Sequence, residues 1–348
     1  MMICVACMMM APAITAATLY TFQTINNQAD PTFNQLLGIN NSGTIVGYFG
    51  SGLDAAHPNK GYVLAPPYGQ GNYTNQNFPG SVQTQVVGIN NANVTSGFWA
   101  DAAPGGNNFG FVNQGGTFTN VVNPNTPALG TRTNQLLGVN DNNVASGFYN
   151  DGNGNANGYL YNTATKQFTP VLFPNATMTT ATGVNNNGVV SGFYMDAGGK
   201  IHGFVDTNGN FISYDDPNGM NTMFLGLTNN NLVVGSFVDG TGMTEGLLYN
   251  LVTQTFQSIN DPNGSAAAAF GVNGTTVNGI NDNGQLVGFF SDGTNVNGFL
   301  ATPVPEPAAF VLIPLGAALF LGLGWRRKQV PGIADCSGSD VMFTTSGV

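Results

Sequence analysis

The chain contains two histidines, His57 and His202, and both stand in loops directly ahead of a predicted strand. A hydrolase triad needs a histidine aligned with a nucleophile, and neither histidine is accompanied by a Gly-x-Ser-x-Gly elbow or an equivalent. His202 also takes the place that Asn157 and Asn297 hold elsewhere in the chain, immediately before a glycine. We therefore interpret both histidines as polar turn residues and predict no catalytic or metal-binding role for the pair.

Aspartates recur at similar positions and could gather into a calcium site, because Ca²⁺ prefers carboxylate and carbonyl oxygens. They are Asp101, Asp151, Asp196, Asp239 and Asp292, with Asp54 more loosely placed. The alternative is that each aspartate starts a loop, because its side chain accepts hydrogen bonds from backbone N–H groups nearby in sequence. We favour the turn role, since the sequence shows no EF-hand or nonapeptide calcium pattern, and calcium binding stays open.

Asp215 and Asp216 are sequence neighbours and raise the question of a glycosidase carboxylate pair. Adjacent residues of a strand point to opposite faces, which argues against a shared catalytic role. Asp216 also opens an Asp-Pro-Asn-Gly turn tetrad that recurs at residues 261–264, with proline at its preferred second position. We predict no catalytic residue, no metal site and no cofactor, and hence that the protein is not an enzyme.

The elements that position these residues come from one motif, which the chain repeats six times. From first glycine to first glycine the steps are 50, 50, 45, 43 and 53 residues, a period typical of architectures in which each unit is one small sheet. The copies are GINNSGTIVGYF from Gly38, GINNANVTSGFW from Gly88, GVNDNNVASGFY from Gly138, GVNNNGVVSGFY from Gly183, GLTNNNLVVGSF from Gly226 and GINDNGQLVGFF from Gly279.

Each copy predicts a β-hairpin, in which two short apolar runs flank a turn rich in Asn and Gly. Type I′ geometry suits such pairs because it needs positive φ at both central residues, which Gly takes freely and Asn tolerates. In the second run, Ile45 and Phe49 point one way while Val46 and Tyr48 point the other, so both faces are apolar. We therefore expect these strands to be covered on both sides by neighbouring sheets.

The repeats predict an all-β fold, a six-bladed β-propeller of four-stranded blades over residues 18–303. Third runs begin at Gly61, Gly110, Gly158, Gly203, Gly246 and Gly298, and fourth runs follow in units two to five. The sixth unit lacks its fourth run, and residues 19–25 form the spare strand that would complete it. We expect this N-terminal strand to close the ring, which removes an exposed sheet edge. An open β-solenoid or an irregular sandwich is the alternative.

Two sets of side chains recur in register and could bind a ligand. Asparagines could ring the axial channel, although turn chemistry explains them more simply; they are Asn40, Asn90, Asn140, Asn185 and Asn281, with Thr228 in the fifth copy. Aromatic residues could stack on sugars if exposed, although packing between blades is favoured. They occupy positions 48, 49, 98, 99, 148, 149, 193, 194, 237, 289 and 290. Loops 102–108 and 151–157 are the preferred place for a ligand site.

Composition limits the possible partners and compartments. Charged residues make up 7% of the chain and the formal net charge is −10. Such a surface repels phosphate backbones and anionic headgroups, so we predict no nucleic-acid binding and no peripheral membrane binding. The cysteines are Cys4, Cys7 and Cys336, so residues 18–303 can hold no disulfide framework or thiolate metal site.

Both ends of the chain predict export. Residues 1–17 are apolar and end in small residues, which is typical of a signal peptide cleaved after Ala17, although the basic segment is missing. Residues 308–325 carry no charge and would span about 27 Å as a helix, enough to cross a bilayer core. Arg326, Arg327 and Lys328 follow and would stay in the cytoplasm, which leaves the propeller outside the inner membrane.

Val304, Pro305, Glu306 and Pro307 stand directly before this span. With the apolar span and the basic cluster after them, they resemble the PEP-CTERM sorting signal over residues 304–328. The resemblance implies that an exosortase-type membrane transpeptidase acts at this motif and removes the helix during export. The six motif copies are similar to HAF-type extracellular repeats. Residues 329–348 depart from the family pattern, and we expect a disordered tail there.

These features together predict an exported, non-catalytic repeat protein of the cell envelope or exopolysaccharide matrix, anchored in the inner membrane before processing and then placed at the cell surface or outside the cell. Exopolysaccharide or another surface polymer is the expected partner beside the transpeptidase. The competing hypothesis is an extracellular hydrolase or lyase that acts on polysaccharide through loop carboxylates. A purely structural role in a matrix is a third reading and predicts no discrete ligand.

Overall fold

The computed structural model describes residues 18–102 and 106–305, and this part of the chain forms a six-bladed β-propeller. Each blade is an antiparallel sheet of four strands, and each sheet packs against the next around a central axis. The first blade also packs against the sixth, so the ring is closed. The propeller prediction is therefore confirmed, and the open solenoid is excluded.

The strands are numbered along the chain, and blades 1 to 5 each take four consecutive strands. Blade 1 contains β2 (Asn34–Ile39), β3 (Ile45–Phe49), β4 (Lys60–Leu64) and β5 (Tyr73–Asn75). Blade 2 contains β6 (Gln83–Ile89), β7 (Thr95–Ala100), β8 (Asn108–Gln114) and β9 (Thr117–Val121). Blade 3 contains β10 (Asn134–Val139), β11 (Val144–Asn150), β12 (Ala156–Asn162) and β13 (Phe168–Val171). Blade 4 contains β14 (Met178–Val184), β15 (Val189–Met195), β16 (Ile201–Thr207) and β17 (Asn210–Tyr214), and blade 5 contains β18 (Gly219–Leu227), β19 (Leu232–Asp239), β20 (Thr244–Asn250) and β21 (Thr255–Ser258).

Blade 6 is built from both ends of the described chain. It contains β22 (Thr275–Ile280), β23 (Leu286–Ser291), β24 (Val296–Pro303) and, as its outer strand, β1 (Tyr20–Thr24). β1 pairs antiparallel with β24 from Tyr20 opposite Pro303 to Thr24 opposite Phe299. The Phe22 ring packs 5.5 Å from that of Phe299. The predicted closure by the N-terminal strand is confirmed.

The hairpin turn differs from the predicted one. In blade 1 the Gly43 N–H donates to the Asn40 carbonyl and the Asn40 N–H donates to the Thr44 carbonyl, which defines a three-residue loop. Only the last loop residue has positive φ, at +79° in Gly43 and +59° in the equivalent Asn93. This geometry is a type I turn followed by a left-handed residue, so the type I′ prediction is wrong. The reason is that the Asn40 Oδ1 accepts the N–H groups of Ser42 and Thr44, which stabilises the longer loop.

The inner two strands of each blade are buried on both faces, as predicted from the apolar residues that point to both faces of these strands. Ile45 and Val46 of β3 are fully buried although they point to opposite faces. One strand was not predicted: β5 follows a 3₁₀ turn (Gln70–Asn72) in a stretch of Pro, Tyr, Gly and Asn that resembles a loop. Four-stranded blades therefore extend to the first repeat as well.

Each link between blades carries the same hydrogen bond. A Thr or Asn side chain in the first half of the innermost strand accepts an N–H from the linker that precedes the blade. In blades 5 and 6 these linkers are the Asp-Pro-Asn-Gly tetrads, in which the Gly219 and Gly264 N–H groups donate to the Asp216 and Asp261 carbonyls. The tetrads are therefore turns, as predicted. Asp216 and Asp261 are both 3% exposed.

The chain ends lie largely outside the described residues. The predicted signal peptide with Ala17, the apolar segment 308–325, the basic residues Arg326, Arg327 and Lys328, and Glu306 and Pro307 of the sorting motif all fall there. Val304 is described, and its N–H donates to the Leu19 carbonyl. Among the described residues, no helix has the length and apolar character needed to cross a bilayer.

Candidate functional site

The six inner strands run side by side along the axis, so equivalent residues form rings at successive depths. We call the end with the hairpin turns the turn face and the opposite end the loop face. From the loop face downward the rings are as follows. The rim ring consists of Gln35, Gln85, Gln135, Thr180, Met223 and Thr276, and the aliphatic ring below it consists of Leu37, Val87, Leu137, Thr182, Leu225 and Asn278. The glycine ring consists of Gly38, Gly88, Gly138, Gly183, Gly226 and Gly279. Nearest the turn face are the asparagine ring, of Asn40, Asn90, Asn140, Asn185, Thr228 and Asn281, and the turn ring, of Asn41, Asn91, Asp141, Asn186, Asn229 and Asp282.

The glycine ring holds the inner strands close together at mid-channel. A Cβ atom added at Gly88 would lie 2.8 Å from the Cα of Gly138, and one added at Gly279 would lie 3.0 Å from the Cα of Gly38. Each of these glycines also follows a shift in the register of its hairpin, such as that between Leu36 and Gly38. The first glycine of the repeated motif is therefore required by the close approach of neighbouring blades.

The asparagine ring joins the blades by hydrogen bonds that run around the axis. The Asn90 Nδ2 donates to the Asn140 carbonyl at 2.9 Å, and the Asn281 Nδ2 donates to the Asn40 carbonyl at 2.9 Å, across the point where the ring closes. The same side chains accept turn N–H groups through Oδ1, so the predicted turn role is confirmed and the asparagines also surround the axis, whereas ligand binding by them stays a prediction. Thr228 keeps the turn hydrogen bonds but has no amide with which to reach the next blade.

The turn ring, unlike the asparagine ring, forms a closed circle of hydrogen bonds. The backbone N–H of each member donates to the side-chain oxygen of the next at 2.8 to 2.9 Å, through all six blades. Asp141 and Asp282 stand in blades 3 and 6, and the Oδ2 of each accepts two amide groups from its neighbours. Burial alone would raise the pKa of Asp282, but the hydrogen bonds from Asn41 and Asn229 outweigh it and lower that pKa. Both carboxylates therefore have a structural role, because they join neighbouring blades by hydrogen bonds.

A funnel opens on the loop face and is the principal candidate for a binding site. It encloses about 430 Å³ between the rim ring and the aliphatic ring, with Phe98 and Phe289 on its walls. Beyond the aliphatic ring, the axial spaces shrink to about 90 Å³ at the glycines and about 80 Å³ at the asparagines. The residues that line the funnel carry no ionisable side chain.

The last interblade linker covers one side of this funnel. Gly271, Val272 and Asn273 belong to it and contribute to the lining. Ala269 pairs with Val272 in a short bridge and packs with Val272 against Phe33 and Tyr48. An apolar loop that folds over the channel mouth therefore makes the funnel asymmetric.

Most of the recurring aromatic residues pack within and between blades, as the sequence favours. Trp99 stacks on Phe78 with ring centroids 4.6 Å apart, Tyr194 stacks on Phe173, and Phe237 is 2% exposed. Phe98 and Phe289 differ because they line the funnel. They are available for stacking on a ligand.

His57 lies in the loop before β4, as predicted, whereas His202 lies within β16 opposite Tyr194, so its interpretation as a turn residue is wrong. Each histidine contacts aspartate. The His57 Nδ1 lies 2.8 Å from the Asp30 Oδ2. The His202 ring is held between Asp196, 3.2 Å from Nε2, and Asp215, 2.9 Å from Nδ1, and it stacks on Tyr194. Because both ring nitrogens of His202 already contact carboxylates, neither is free to take a proton from a substrate.

The convergence of Asp196 and Asp215 on His202 was not foreseen from the sequence. Lys200 adds a fourth charged group, with its Nζ 3.1 Å from Asp215. Asp215 and Asp216 both follow the end of β17 at Tyr214, so strand alternation is not what separates them. Their surroundings nevertheless differ, since Asp215 contacts His202 and Asp216 lies in the buried linker. Within the described residues, no group of three or more His, Cys, Asp or Glu side chains is arranged to hold a metal ion.

The recurring loop aspartates bind their own turns. The Asp151 Oδ1 accepts the N–H groups of Asn153 and Asn155, and the Asp239 Oδ1 accepts those of Thr241 and Met243. These contacts are those of the predicted turn role. The described part of loop 102–108 contributes Ala102, Gly106 and Asn108 to a separate cavity of about 70 Å³, which shares Gln85 and Phe98 with the funnel.

The fold and the axial funnel place the chain in the class of six-bladed β-propellers. No protein-family model matches the chain, and no curated protein matches it. Among solved structures it is similar to a putative TolB from Agrobacterium tumefaciens, with a TM-score of 0.52, 10% identity, and coverage of 83% of this chain and 100% of that one. TolB from Acinetobacter baumannii has a TM-score of 0.47 and 13% identity; the match covers 74% of this chain and 64% of that one, so it spans slightly less than two thirds of the relative. An ulvan lyase has a TM-score of 0.43 and 13% identity, with coverage of 75% and 76%. At these identities the likeness is one of fold alone.

Proposed function

We propose that this protein is an exported, non-catalytic binding module whose axial funnel takes a ligand from the polymers outside the cell. The funnel is the observation that carries the proposal. Its volume of about 430 Å³ lies within the range of about 300–1,000 Å³ typical of small-molecule sites. It combines apolar walls with a small number of polar groups, which is the usual composition of such sites.

A binding role is favoured over catalysis by the chemistry of the lining. General acid–base catalysis needs a titratable group within hydrogen-bond reach of the substrate, and the funnel lining offers amides, hydroxyls and apolar groups. The charged groups that do come together, at His202, are engaged with one another. The competing hypothesis of a polysaccharide hydrolase or lyase would need loop carboxylates, and those in the described loops are committed to turns.

Export and sorting rest on the sequence. The apolar leader that ends at Ala17, the Val304 to Pro307 motif and the basic residues after the span support processing by an exosortase-type transpeptidase. The sparsely charged, Asn-rich composition of the body suits an extracellular matrix rich in polysaccharide. In this proposal the propeller is held outside the inner membrane and is then released to the cell surface or the medium.

The mass of the mature protein in cell and medium fractions tests the export half of the proposal. We expect an N-terminus after Ala17 and a C-terminus near Pro305 in the surface or medium fraction. An unprocessed chain that stays in the cytoplasm would overturn it. A turnover screen on bacterial exopolysaccharides tests the other half, and hydrolysis abolished by one Asp to Asn substitution would establish the enzyme instead.

A further inference from the structure

The funnel has a layered chemistry that narrows its ligand class, and this inference rests on the proposed binding function. We propose that the funnel binds the end of an uncharged glycan, and that a methyl-bearing group of the terminal sugar enters first. A 6-deoxy sugar and an N-acetyl sugar both present such a group.

Polarity changes with depth along the inner strands. Four of the five rim residues that line the funnel are polar, with Met223 as the exception, whereas four of the five lining residues of the next ring are aliphatic, with Asn278 as the exception. A ligand that fits both layers has hydroxyl groups around its upper part and an apolar group at its tip. Phe98 and Phe289 add flat apolar surfaces of the kind that pack against the C–H face of a sugar ring.

The rim glutamines are held in place and keep bonding capacity for a ligand. The Gln35 Oε1 accepts the Tyr48 hydroxyl, and the Gln85 Nε2 donates to the Asn59 Oδ1. Among the described residues, the other amide atom of each of these glutamines has no protein partner. Side chains that are fixed before binding lose little entropy when a ligand arrives, so amides of this kind favour recognition of hydroxyl groups.

The deep layer contains a polar atom without a partner. Asn278 lies in the aliphatic ring, and its Oδ1 is buried and makes no hydrogen bond within the described structure. The Ser236 Oγ, also in the funnel wall, is buried and unpartnered, and Ser236 is 1% exposed. The Asn278 Nδ2 also makes no hydrogen bond within the described residues and, unlike Oδ1, is not buried, so this amide can donate one hydrogen bond to an oxygen of a ligand.

Charge and shape define the rest of the ligand. A lining without cations and a body that carries a net negative charge both disfavour uronate, sulfate and phosphate groups. The axial space below the funnel has room for only a few water molecules, at about 90 Å³. A polymer chain cannot thread through it, so the funnel takes a chain end.

Calorimetric titration of the propeller in the full-length chain tests this proposal. The probes are the methyl glycosides of L-rhamnose, L-fucose and N-acetylglucosamine, with methyl glucoside and methyl glucuronide for comparison. We expect at least one methyl-bearing sugar to bind about fivefold or more tightly than glucoside, and the glucuronide to bind most weakly. A comparison of the rhamnoside, the fucoside and the N-acetylglucosaminide shows which methyl-bearing group enters the aliphatic ring.

Asn278→Leu and Ser146→Ala are the matched variants. Leucine is the residue that Leu37, Leu137 and Leu225 supply at the same depth, so Asn278→Leu should fold with unchanged or higher thermal stability. It should weaken the preferred sugar about fivefold, the loss of one hydrogen bond. Ser146→Ala also removes a buried, unpartnered oxygen, but that oxygen lies outside the funnel lining, so affinity should not change.

The outcomes separate this inference from the proposed function. Glycan binding that Asn278→Leu leaves unchanged, or a preference for glucuronide, would overturn the funnel assignment while a binding role stands. Absence of binding to every neutral and charged glycan on an array would overturn both. Preference for a methyl-bearing sugar together with sensitivity to Asn278→Leu supports both.

Discussion

Asp261 is a carboxyl group in a buried interblade linker, at a position that Asp216 holds in blade 5 and an asparagine holds in blades 1 and 3. Its Oδ1 accepts the Asn263 N–H, whereas its Oδ2 is buried without a partner. Burial raises the pKa of Asp261 above its ordinary value, and the hydrogen bonds from Asn263 oppose the shift only in part. Asn27 and Asn123 hold the corresponding linker position in other blades. A neutral side chain therefore suits this place.

We expect Asp261→Asn to raise the unfolding temperature at pH 7 by a few degrees. A raised folded-state pKa means that the wild type is stabilised at low pH and loses that stability as pH rises through the folded pKa. The variant has no such group, so its advantage should shrink below about pH 4, where the carboxyl is protonated in both states. Thermal melts from pH 3.5 to 7.5 measure the difference.

Asp239→Asn serves as a control with the opposite sign. The hydrogen bond from the Thr241 side chain and the Met243 N–H lower the pKa of this exposed carboxyl. The wild type should therefore be the more stable protein at pH 7, and the gap should close as pH falls. Equal pH profiles for both substitutions would show that burial does not control the Asp261 linker.

The glycine ring makes a second prediction at the residue scale. A methyl group at Gly88 would meet the Gly138 backbone and the Ser96 hydroxyl, so Gly88→Ala should destabilise the fold by more than about 3 kcal/mol. Gly152 has no neighbouring atom within 4 Å of an added Cβ, so Gly152→Ala is the matched control and should change little. Urea unfolding measures the stability of the two variants, and similar unfolding midpoints would contradict the close approach of the inner strands.

At the scale of elements, the sequence repeat predicts the hairpins, which depend on local chemistry, but it does not predict contacts that form only when the ring of blades closes. Short apolar runs on either side of Asn- and Gly-rich turns identify the hairpins, and the spare first strand follows from the number of runs in each unit. The role of Gln35, Gln85 and Gln135 could not be derived in the same way, because these residues meet only when six strands surround one axis. A signal was present, since each stands three residues before the first glycine of its motif. The turn type was missed because the Asn40 side chain, rather than the backbone alone, sets the loop length.

The closing strand gives a prediction at this scale. Phe22 packs on Phe299 within blade 6, so Phe22→Ala should cost about 1–3 kcal/mol, and removal of residues 18–26 should cost more. Leu19 is 71% exposed, so Leu19→Ala provides the control and should leave the melting temperature unchanged. Differential scanning calorimetry measures all three, and an unaltered melt after deletion would contradict closure by β1.

At the scale of the whole molecule, the closed circle of the turn ring and the asparagine ring, which is interrupted at Thr228, hold six blades around a narrow axis and leave the loop face open. Each Asp141 or Asp282 carboxylate gathers amides from both neighbouring blades, which accounts for two acids in a ring otherwise made of asparagine. The open face then carries the funnel, the Asn278 oxygen and the loop that covers one side. Stability and binding are therefore assigned to opposite ends of one channel.

We expect the double variant Asp141→Asn, Asp282→Asn to be less stable than the wild type at pH 7, because four amide donors lose their acceptors. The hydrogen bonds lower the pKa of both carboxyls despite burial, so the wild-type advantage exists above the unfolded-state pKa and is lost as pH falls through the folded pKa. Melts at pH 7 and pH 3 measure this convergence. A double variant that is as stable as the wild type at pH 7 would show that the circle is dispensable.

A crystal structure with the tightest-binding methyl glycoside of the panel tests the central claim most directly. We predict density for the sugar inside the funnel, with its methyl group between Leu37 and Leu137 and a hydrogen bond to Asn278 or to a rim glutamine. Sugar density between blades on the outer wall, with an empty funnel, would contradict the account.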